Sequence, residues 1–209
     1  RMIGRLYHVG SSPETAGLIE GSFTRVLGLL DAIVAKRPYL FGGRPSLADF
    51  GLAGQLAQLN SDPTPGAVLR TQAPNVAAWL ERMENPKSEG GFASFADVKD
   101  DVEELLRAEI AGAYLLWMDA NARAVSDDAS GVSVDIAGTA FVQKPQRYAA
   151  KAFIELKRKR ALVQDEPLSA LLAATGVDAL LAASRADDDD AGDDEDAGGD
   201  DSDDEAEED

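Results

Sequence analysis

The 209 residues suffice for one substantial helical domain, with or without a small appendage. The net charge is −18, but 16 of the 38 acidic residues lie between Asp187 and Asp209, and the remaining 22 are nearly balanced by 20 basic residues. Cysteine is absent, which excludes disulfides, thiolate metal sites and a cysteine nucleophile within this chain. No apolar run approaches the ~18 residues of a membrane span, and no signal-peptide core follows the first residues. We therefore expect a cytoplasmic protein without a membrane partner.

The first predicted helix begins at Ser12 and Pro13, because proline favours the first helical position. It is expected to run to about Lys36 and to end before Pro38. Apolar side chains recur along it at intervals of three and four residues, which predicts one buried face. The members of this stripe are Ile19, Phe23, Val26, Leu30 and Ile33.

The second predicted helix begins at Ser46, which can act as the N-cap, while Asp49 can accept from the backbone N–H of Ser46. The residues behind this capping box are apolar on almost every side, which predicts a helix surrounded by protein. They include Leu47, Phe50, Leu52, Leu56 and Leu59. Each glycine inside a helix costs about 1 kcal/mol relative to alanine, so Gly51 and Gly54 predict a close approach of another backbone.

The Ser-Leu-Ala-Asp box at 46–49, with the Gly-containing approach at 38–45, resembles the central helix of the C-terminal, all-helical domain of cytosolic glutathione transferases. The resemblance extends from about Ser12 to about Glu84. Two further segments, 119–122 and 143–148, look like the longer C-terminal extension of some bacterial members. The resemblance implies an all-α helical bundle.

Downstream, the segment 61–66 is predicted to be a loop that breaks the central helix. A shorter helix is expected from about Pro74, ending before Asn85, and its apolar face carries Val76, Trp79, Leu80 and Met83. After a glycine-rich turn, a long helix is predicted from about Phe95 to Ala124. Its stripe comprises Val98, Val102, Leu105, Leu106, Ile110, Ala113 and Trp117.

The last third of the chain carries weaker patterns. Residues 132–136 alternate with period two, which favours a short strand or extended piece, although one isolated strand cannot form a sheet. Helix is expected from Pro145 to about Val163, and an apolar segment from Pro167 to Ala183 is expected to pack back on the bundle. We predict a transferase-like helical domain at 1–125, a helical extension at 126–185, and a disordered acidic tail at 186–209.

The family's thiol-activating residue and most of its glutathione site lie in an N-terminal thioredoxin-like domain, and no strand-helix-strand pattern of such a domain is predicted in this sequence. Glutathione is therefore expected as a co-substrate only through such a domain, and we assign no catalytic residue to this chain. The resemblance implies an apolar wall for the electrophile, with Tyr7, His8, Tyr114, Trp117 and Met118 as candidates. Ordinary core packing is the competing interpretation, especially for the aromatic residues of the long helix. His8 has no second metal ligand four residues away, so no metal site is predicted.

Seven basic residues cluster late in the chain, with Glu155 as the only acid among them. Because residues 157–160 must point all round a helix, a solvated surface is expected and nucleic-acid binding is not. The cluster comprises Lys144, Arg147, Lys151, Lys157, Arg158, Lys159 and Arg160. A contact between this cluster and the acidic tail is an open alternative.

Two functions remain open from the sequence. The first is the electrophile-binding half of a glutathione transferase-like protein, whose family reaction conjugates glutathione to an apolar electrophile. The second is a non-catalytic transferase-like scaffold or protein-binding module. The expected partners are an apolar small molecule and a second copy of the chain in a homodimer, and a role for the acidic tail in binding a basic partner ranks last.

Overall fold

The structure, a computed structural model, describes residues 9–182. Helices dominate this part of the chain, as the sequence predicts, and a small antiparallel sheet interrupts them. The predicted acidic tail, together with Tyr7 and His8, lies outside the described residues. The first elements are α1 (Ala16–Val34), α2 (Leu47–Ser61), α3 (Pro63–Gln72), α4 (Pro74–Glu84) and α5 (Phe95–Leu105). They are followed by a π-helical segment (Leu106–Tyr114), α6 (Leu115–Ser126), β1 (Val132–Ile136), β2 (Thr139–Gln143), α7 (Arg147–Leu162), α8 (Glu166–Thr175) and α9 (Val177–Ala182).

Helix α1 begins three residues later than Pro13, where the sequence places its start. Residues 12–15 form a turn instead, because the backbone N–H groups of Thr15 and Ala16 both donate to the carbonyl of Ser12. The hydroxyl of Thr15 donates to the carbonyl of Gly10 across 2.7 Å, which ties the preceding segment to this turn. Leu30 and Ile33 of the predicted stripe are buried, whereas Ile19 is not.

Helices α1 to α4 enclose a first hydrophobic core. Its most deeply buried members are large apolar side chains spaced along three of these helices, so each helix contributes one apolar face. They include Leu27, Leu30 and Ile33 from α1, Leu69 from α3, and Val76 and Trp79 from α4. The predicted helix from Pro74 is confirmed, including its end before Asn85.

Helix α2 begins with a complete capping box. The hydroxyl of Ser46 accepts from the backbone N–H of Asp49, and the Asp49 carboxylate accepts from the backbone N–H of Ser46 at 2.8 Å. Asp49 is fully buried, and its other oxygen accepts from the backbone N–H of Leu40 at 2.9 Å and from the indole N–H of Trp79 at 3.1 Å. The carboxylate therefore joins α2 to α4 and to the segment before α2.

The prediction that α2 is surrounded by protein is wrong. Of its residues only Asp49 and Leu56 are buried, while Leu47 is 90% exposed and Phe50 is 52% exposed. The prediction about its glycines is also wrong, because a side chain at Gly51 or Gly54 would meet open space. One face of α2 packs on the first core, and Leu47 and Phe50 on the opposite face are exposed.

The close backbone approach occurs earlier in the chain, at Gly42 and Gly43. A Cβ atom on Gly42, whose φ is +138°, would lie 2.6 Å from the carbonyl oxygen of Gly91. One on Gly43 would lie 2.9 Å from the Cα atom of Gly90. The backbone N–H of Gly43 donates to the Gly91 carbonyl at 2.9 Å, so the segment before α2 is fastened to the segment before α5.

The predicted loop at 61–66 is instead the start of a helix. Asp62 caps α3 by accepting from the backbone N–H of Thr64 at 3.0 Å, and Pro63 occupies the first turn. Aspartate followed by proline favours a helix start as readily as a turn, because the missing N–H of proline is not needed there. The correction adds α3 between the two predicted helices.

The long helix predicted from Phe95 to Ala124 is confirmed as one continuous helical run, since Leu106 and Leu115 keep right-handed helical backbone angles at its two internal junctions. Its middle is a π-helix, in which the backbone N–H of Leu115 donates to the carbonyl of Ile110, five residues back. A second hydrophobic core forms around its C-terminal half. The members of this core include Ala111, Leu115, Met118, Phe153, Leu172 and Val177.

The strand expected at 132–136 is confirmed as β1, and it pairs with a second strand, β2, that the sequence analysis missed. Val132 pairs with Gln143 and Ile136 with Thr139. The two connecting residues, Ala137 and Gly138, have φ values of +51° and +80°. Positive φ at both positions is typical of a type I′ turn. Alanine is uncommon at the first of them, so the dipeptide Ala137-Gly138 did not predict a hairpin.

Candidate functional site

A cavity of about 1270 Å³ lies between α1, α2, the long helix, the hairpin and α8. Its wall is almost entirely apolar. Each bordering element contributes side chains to it, among them Val26, Leu52, Val102, Ile110, Phe141 and Leu171. Sites for small molecules typically measure roughly 300–1,000 Å³ and are lined mainly by apolar side chains with a few polar groups. This cavity is somewhat larger than that range, and it has the apolar surface of a site for an apolar molecule.

Three polar side chains form a cluster on this wall. The carboxylate of Glu109 accepts from the hydroxyl of Ser22 at 2.5 Å and from Nε of Arg25 at 2.6 Å. Glu109 is buried, with only 5% of its surface exposed, so its charge depends on these two donors for compensation. Ser22 and Arg25 lie three residues apart on α1 and therefore share one face of that helix.

The π-helical segment carries Glu109 and one flank of the cavity. A π turn widens a helix and changes which side chains face a given side, and such turns are frequent at functional sites. Ile110, Ala113 and Tyr114 from this segment all line the cavity. The local irregularity of the long helix thus coincides with the position of the cavity.

Two of the predicted wall residues, Tyr114 and Trp117, line the cavity. Tyr114 is 49% exposed, so the cavity reaches the molecular surface near this side chain. Met118 does not line the cavity and is buried in the second core instead. Tyr7 and His8 precede the described residues, and their place in the wall stays a prediction.

Trp117 also carries a polar atom that protein groups leave unsatisfied. Its indole N–H is shielded from solvent and, among the described residues, has no hydrogen-bond partner. The indole N–H of Trp79, by comparison, donates to Asp49. A buried donor without an acceptor is energetically unfavourable by about 1–3 kcal/mol. A ligand that offers an acceptor to the indole N–H of Trp117 would remove this cost.

The hairpin covers one side of the cavity through Ile136, Phe141 and Gln143. Phe141 packs directly on the backbone of Gly10, where a Cβ atom would lie only 2.3 Å from the ring. Gly10 has a φ of +72°, a conformation that glycine adopts readily. This contact holds the hairpin against the segment that precedes α1.

The sequence analysis missed Ser22, Arg25 and Glu109. Of the three, Glu109 could have been recognised from the sequence, because it follows Leu105 and Leu106 by four and three residues and therefore shares their face of the long helix. Its partners could not be identified, since Arg25 lies 84 residues away in the chain. The described residues contain no group of three or more histidine, cysteine or acidic side chains arranged to hold a metal ion.

The basic cluster lies outside the cavity, mostly on α7, and part of it is paired. Glu155 accepts from Arg158 at 2.6 Å and contacts Lys159 at 3.6 Å, and the hydrogen bond from Arg158 lowers the pKa of Glu155 to about 2. Arg160 bonds Asp178 on α9 at 3.0 Å. Within residues 9–182, no helix combines the length and apolar character that crossing a bilayer requires.

Comparison with known protein families gives one match. Residues 14–82 match the family model described as glutathione S-transferase, C-terminal domain, which supports the predicted resemblance over this segment. The matched segment includes α1 to α3 and most of α4, and with them Ser22, Arg25 and the capping box. Glu109, Tyr114 and Trp117 lie beyond it. Comparisons of the chain with curated proteins and with solved structures give no match.

Proposed function

Because residues 14–82 match the glutathione S-transferase C-terminal domain family, we propose that the cavity binds the apolar electrophile of a glutathione transferase-like protein. The observation that carries the proposal is the apolar wall, because a family reaction on apolar electrophiles needs a surface that removes them from water. Burial of apolar area contributes roughly 25 cal/mol per Å², which is enough to hold an aromatic or aliphatic molecule in a cavity of this size.

The cavity does not fit glutathione itself. Glutathione carries two carboxylates and an ammonium group, each of which needs a charged or polar partner when bound. The charged groups on the described wall are Arg25 and Glu109. Glu109 pairs with Nε of Arg25, which leaves the far end of one guanidinium group for a molecule with three charged groups. The hydroxyl of Ser22 donates to Glu109 and is not available to stabilise a thiolate. We therefore assign the electrophile to this cavity and glutathione to residues elsewhere in the protein.

Titration of the full chain with the neutral fluorescent probe N-phenyl-1-naphthylamine tests the proposal. We expect one saturable site whose probe is displaced by an apolar aryl halide. Ala113→Phe fills part of the cavity and should weaken probe binding by about tenfold, which corresponds to about 1.4 kcal/mol. Ala152→Phe adds the same ring at an exposed position of α7 and should leave probe binding unchanged.

Equal probe binding by these two variants, with similar thermal midpoints, would place the probe outside the cavity and contradict the proposal. Calorimetric titration of the chain with glutathione supplies a second check. Binding of glutathione that the neutral probe displaces would contradict the assignment of the two substrates to different sites.

A second candidate function, a binding module without catalysis, is favoured by the exposed apolar face of α2. Leu47 and Phe50 are largely exposed, and Gly51 and Gly54 leave that face flat. Exposed apolar patches often mark protein contacts. We assign a second copy of the chain to this patch, because most soluble oligomers are two-fold dimers of one chain. Sedimentation analysis of Leu47→Asp tests whether this face forms a contact, since the variant should abolish a dimer while leaving probe binding intact.

A further inference from the structure

Arg25 and Glu109 are the charged side chains on the described wall of an otherwise apolar cavity. A site for a wholly apolar molecule gains nothing from a charged pair, because removing charges from water is costly. The pair therefore calls for an explanation beyond the binding of an apolar electrophile.

The geometry of the pair is asymmetric. Both oxygens of Glu109 are occupied, one by the hydroxyl of Ser22 and the other by Nε of Arg25. The two terminal nitrogens of Arg25 have no acceptor among the described residues. Glu109 thus fixes the orientation of the guanidinium group through its Nε edge and leaves the opposite end available for another partner.

The two side chains also differ in their exposure to solvent. The side chain of Glu109 is 6% exposed, whereas that of Arg25 is 52% exposed. Glu109 is therefore part of the cavity wall, and the guanidinium group of Arg25 lies where the wall meets solvent. A ligand held there can keep its apolar part inside the cavity and its polar end partly in water.

We propose that the cavity accepts long-chain carboxylates, with the apolar chain inside and the carboxylate bound by the terminal nitrogens of Arg25. This inference rests on the proposed function and names a ligand class for the same cavity. Arginine suits this role because its planar end can donate two parallel hydrogen bonds to a carboxylate. The negative charge of Glu109 opposes the ligand's charge, and partial exposure to solvent weakens both effects.

The test is displacement of N-phenyl-1-naphthylamine from the full chain by dodecanoate and by its neutral methyl ester, both below the concentration at which they aggregate. We expect the wild type to bind dodecanoate about five- to tenfold more tightly than the ester, as one charge-assisted interaction at a half-exposed site provides. Arg25→Gln keeps an N–H donor for Glu109 and should remove this preference while the affinity for the ester stays within about twofold.

Arg44→Gln is the matched control, because Arg44 lies outside the cavity over the ring of Phe92, at 5.3 Å from its centroid. This variant should keep the preference for the carboxylate. Arg25→Lys keeps the charge without the planar fork, and we expect it to retain only part of the preference. Melting curves of all variants show whether each one folds, and Arg25→Lys tests the assignment if Arg25→Gln does not.

The outcomes separate this inference from the proposed function. If the wild type binds neither the probe nor the ester, both are overturned. If it binds the probe but does not distinguish dodecanoate from its ester, or if Arg25→Gln keeps the preference, the cavity remains an apolar site and the assignment of Arg25 to a carboxylate is overturned.

Discussion

The indole N–H of Trp79 donates to the carboxylate of Asp49 across 3.1 Å, and both residues are almost completely buried. The same carboxylate accepts from the backbone N–H of Leu40 and from both the backbone N–H and the hydroxyl of Ser46. A residue that caps one helix therefore also connects that helix to α4 and to the segment before it. Its contribution to stability exceeds that of an ordinary helix cap.

Replacing Asp49 with alanine should lower the free energy of unfolding by roughly 3 kcal/mol or more, because it removes the cap and leaves several buried donors without an acceptor. Asp62→Ala is the matched control. Asp62 caps α3 through one exposed hydrogen bond, and its loss should cost about 1 kcal/mol. Urea unfolding followed by tryptophan fluorescence measures both, and equal losses would show that Asp49 acts only as a local cap.

Gly42→Ala should destabilise the protein by at least about 2 kcal/mol, because the new Cβ atom would meet the backbone of 91–93 and the φ of +138° is unfavourable for alanine. Gly54→Ala should do the opposite. Gly54 lies inside α2 with open space beside it, so alanine should stabilise the helix by up to about 1 kcal/mol. Thermal midpoints of the two variants should move in opposite directions, and a stabilising Gly42→Ala would contradict the close approach of the two segments.

The hairpin offers a stabilising substitution at Ala137, whose φ is +51°. Asparagine tolerates this conformation better than alanine, so Ala137→Asn should raise stability by up to about 1 kcal/mol. Ala140→Asn, on the neighbouring strand, should lower stability slightly because asparagine disfavours strands. A thermal melt of each variant checks the turn, and loss of stability in Ala137→Asn would contradict the type I′ geometry.

Asp101 connects α5 to the segment that follows α1 by bonding Lys36 and, at 2.7 Å, Arg37. The hydrogen bond from Lys36 lowers the pKa of Asp101 below its ordinary value of 3.8, and Arg37 adds to this effect. Because the folded state then binds the proton less readily than the unfolded state, the stabilisation is fully present above about pH 4 and is lost as the pH falls through the lowered pKa.

Asp101→Asn should therefore lower the thermal midpoint at pH 7, and its difference from the wild type should shrink as the pH falls below 4. Asp100→Asn is the control, since the Asp100 side chain is 80% exposed and its ion pair with Lys99, at 3.4 Å, joins neighbouring residues of the same helix. A pH-independent difference between Asp101→Asn and the wild type would show that packing, and not the ion pair, accounts for the loss.

Sequence reasoning succeeded where the determining residues are close together in the chain. The capping residues Ser46 and Asp49 lie three positions apart, and the apolar faces of α1, α4 and the long helix repeat within single helices, so the family and the helical fold followed from local patterns. It failed for α2 because an apolar helix predicts burial but does not identify its partner. The exposure of Leu47 and Phe50 is set by the elements that pack around α2, which the sequence of the helix does not specify.

The cavity itself could be predicted only in part. The family resemblance suggests Tyr114, Trp117 and Met118 as wall residues. Tyr114 and Trp117 line the cavity, whereas Met118 lies in the second core. The π-helical segment changes which side chains of the long helix face the cavity, and no local sequence pattern predicts where such a segment forms. The pairing of Glu109 with Ser22 and Arg25 arises only when α1 and the long helix pack together.

The most direct test of the central claim uses the two tryptophans as paired reporters. Trp117 lines the cavity, whereas Trp79 is bonded to Asp49 in the first core. Their indole N–H resonances, assigned with Trp117→Phe and Trp79→Phe, are followed by NMR while N-phenyl-1-naphthylamine is added to the isotope-labelled chain. We expect a saturable shift of the Trp117 resonance and no shift of the Trp79 resonance. Saturable binding that leaves Trp117 unchanged, or that shifts only Trp79, would contradict the assignment of this cavity as the ligand site.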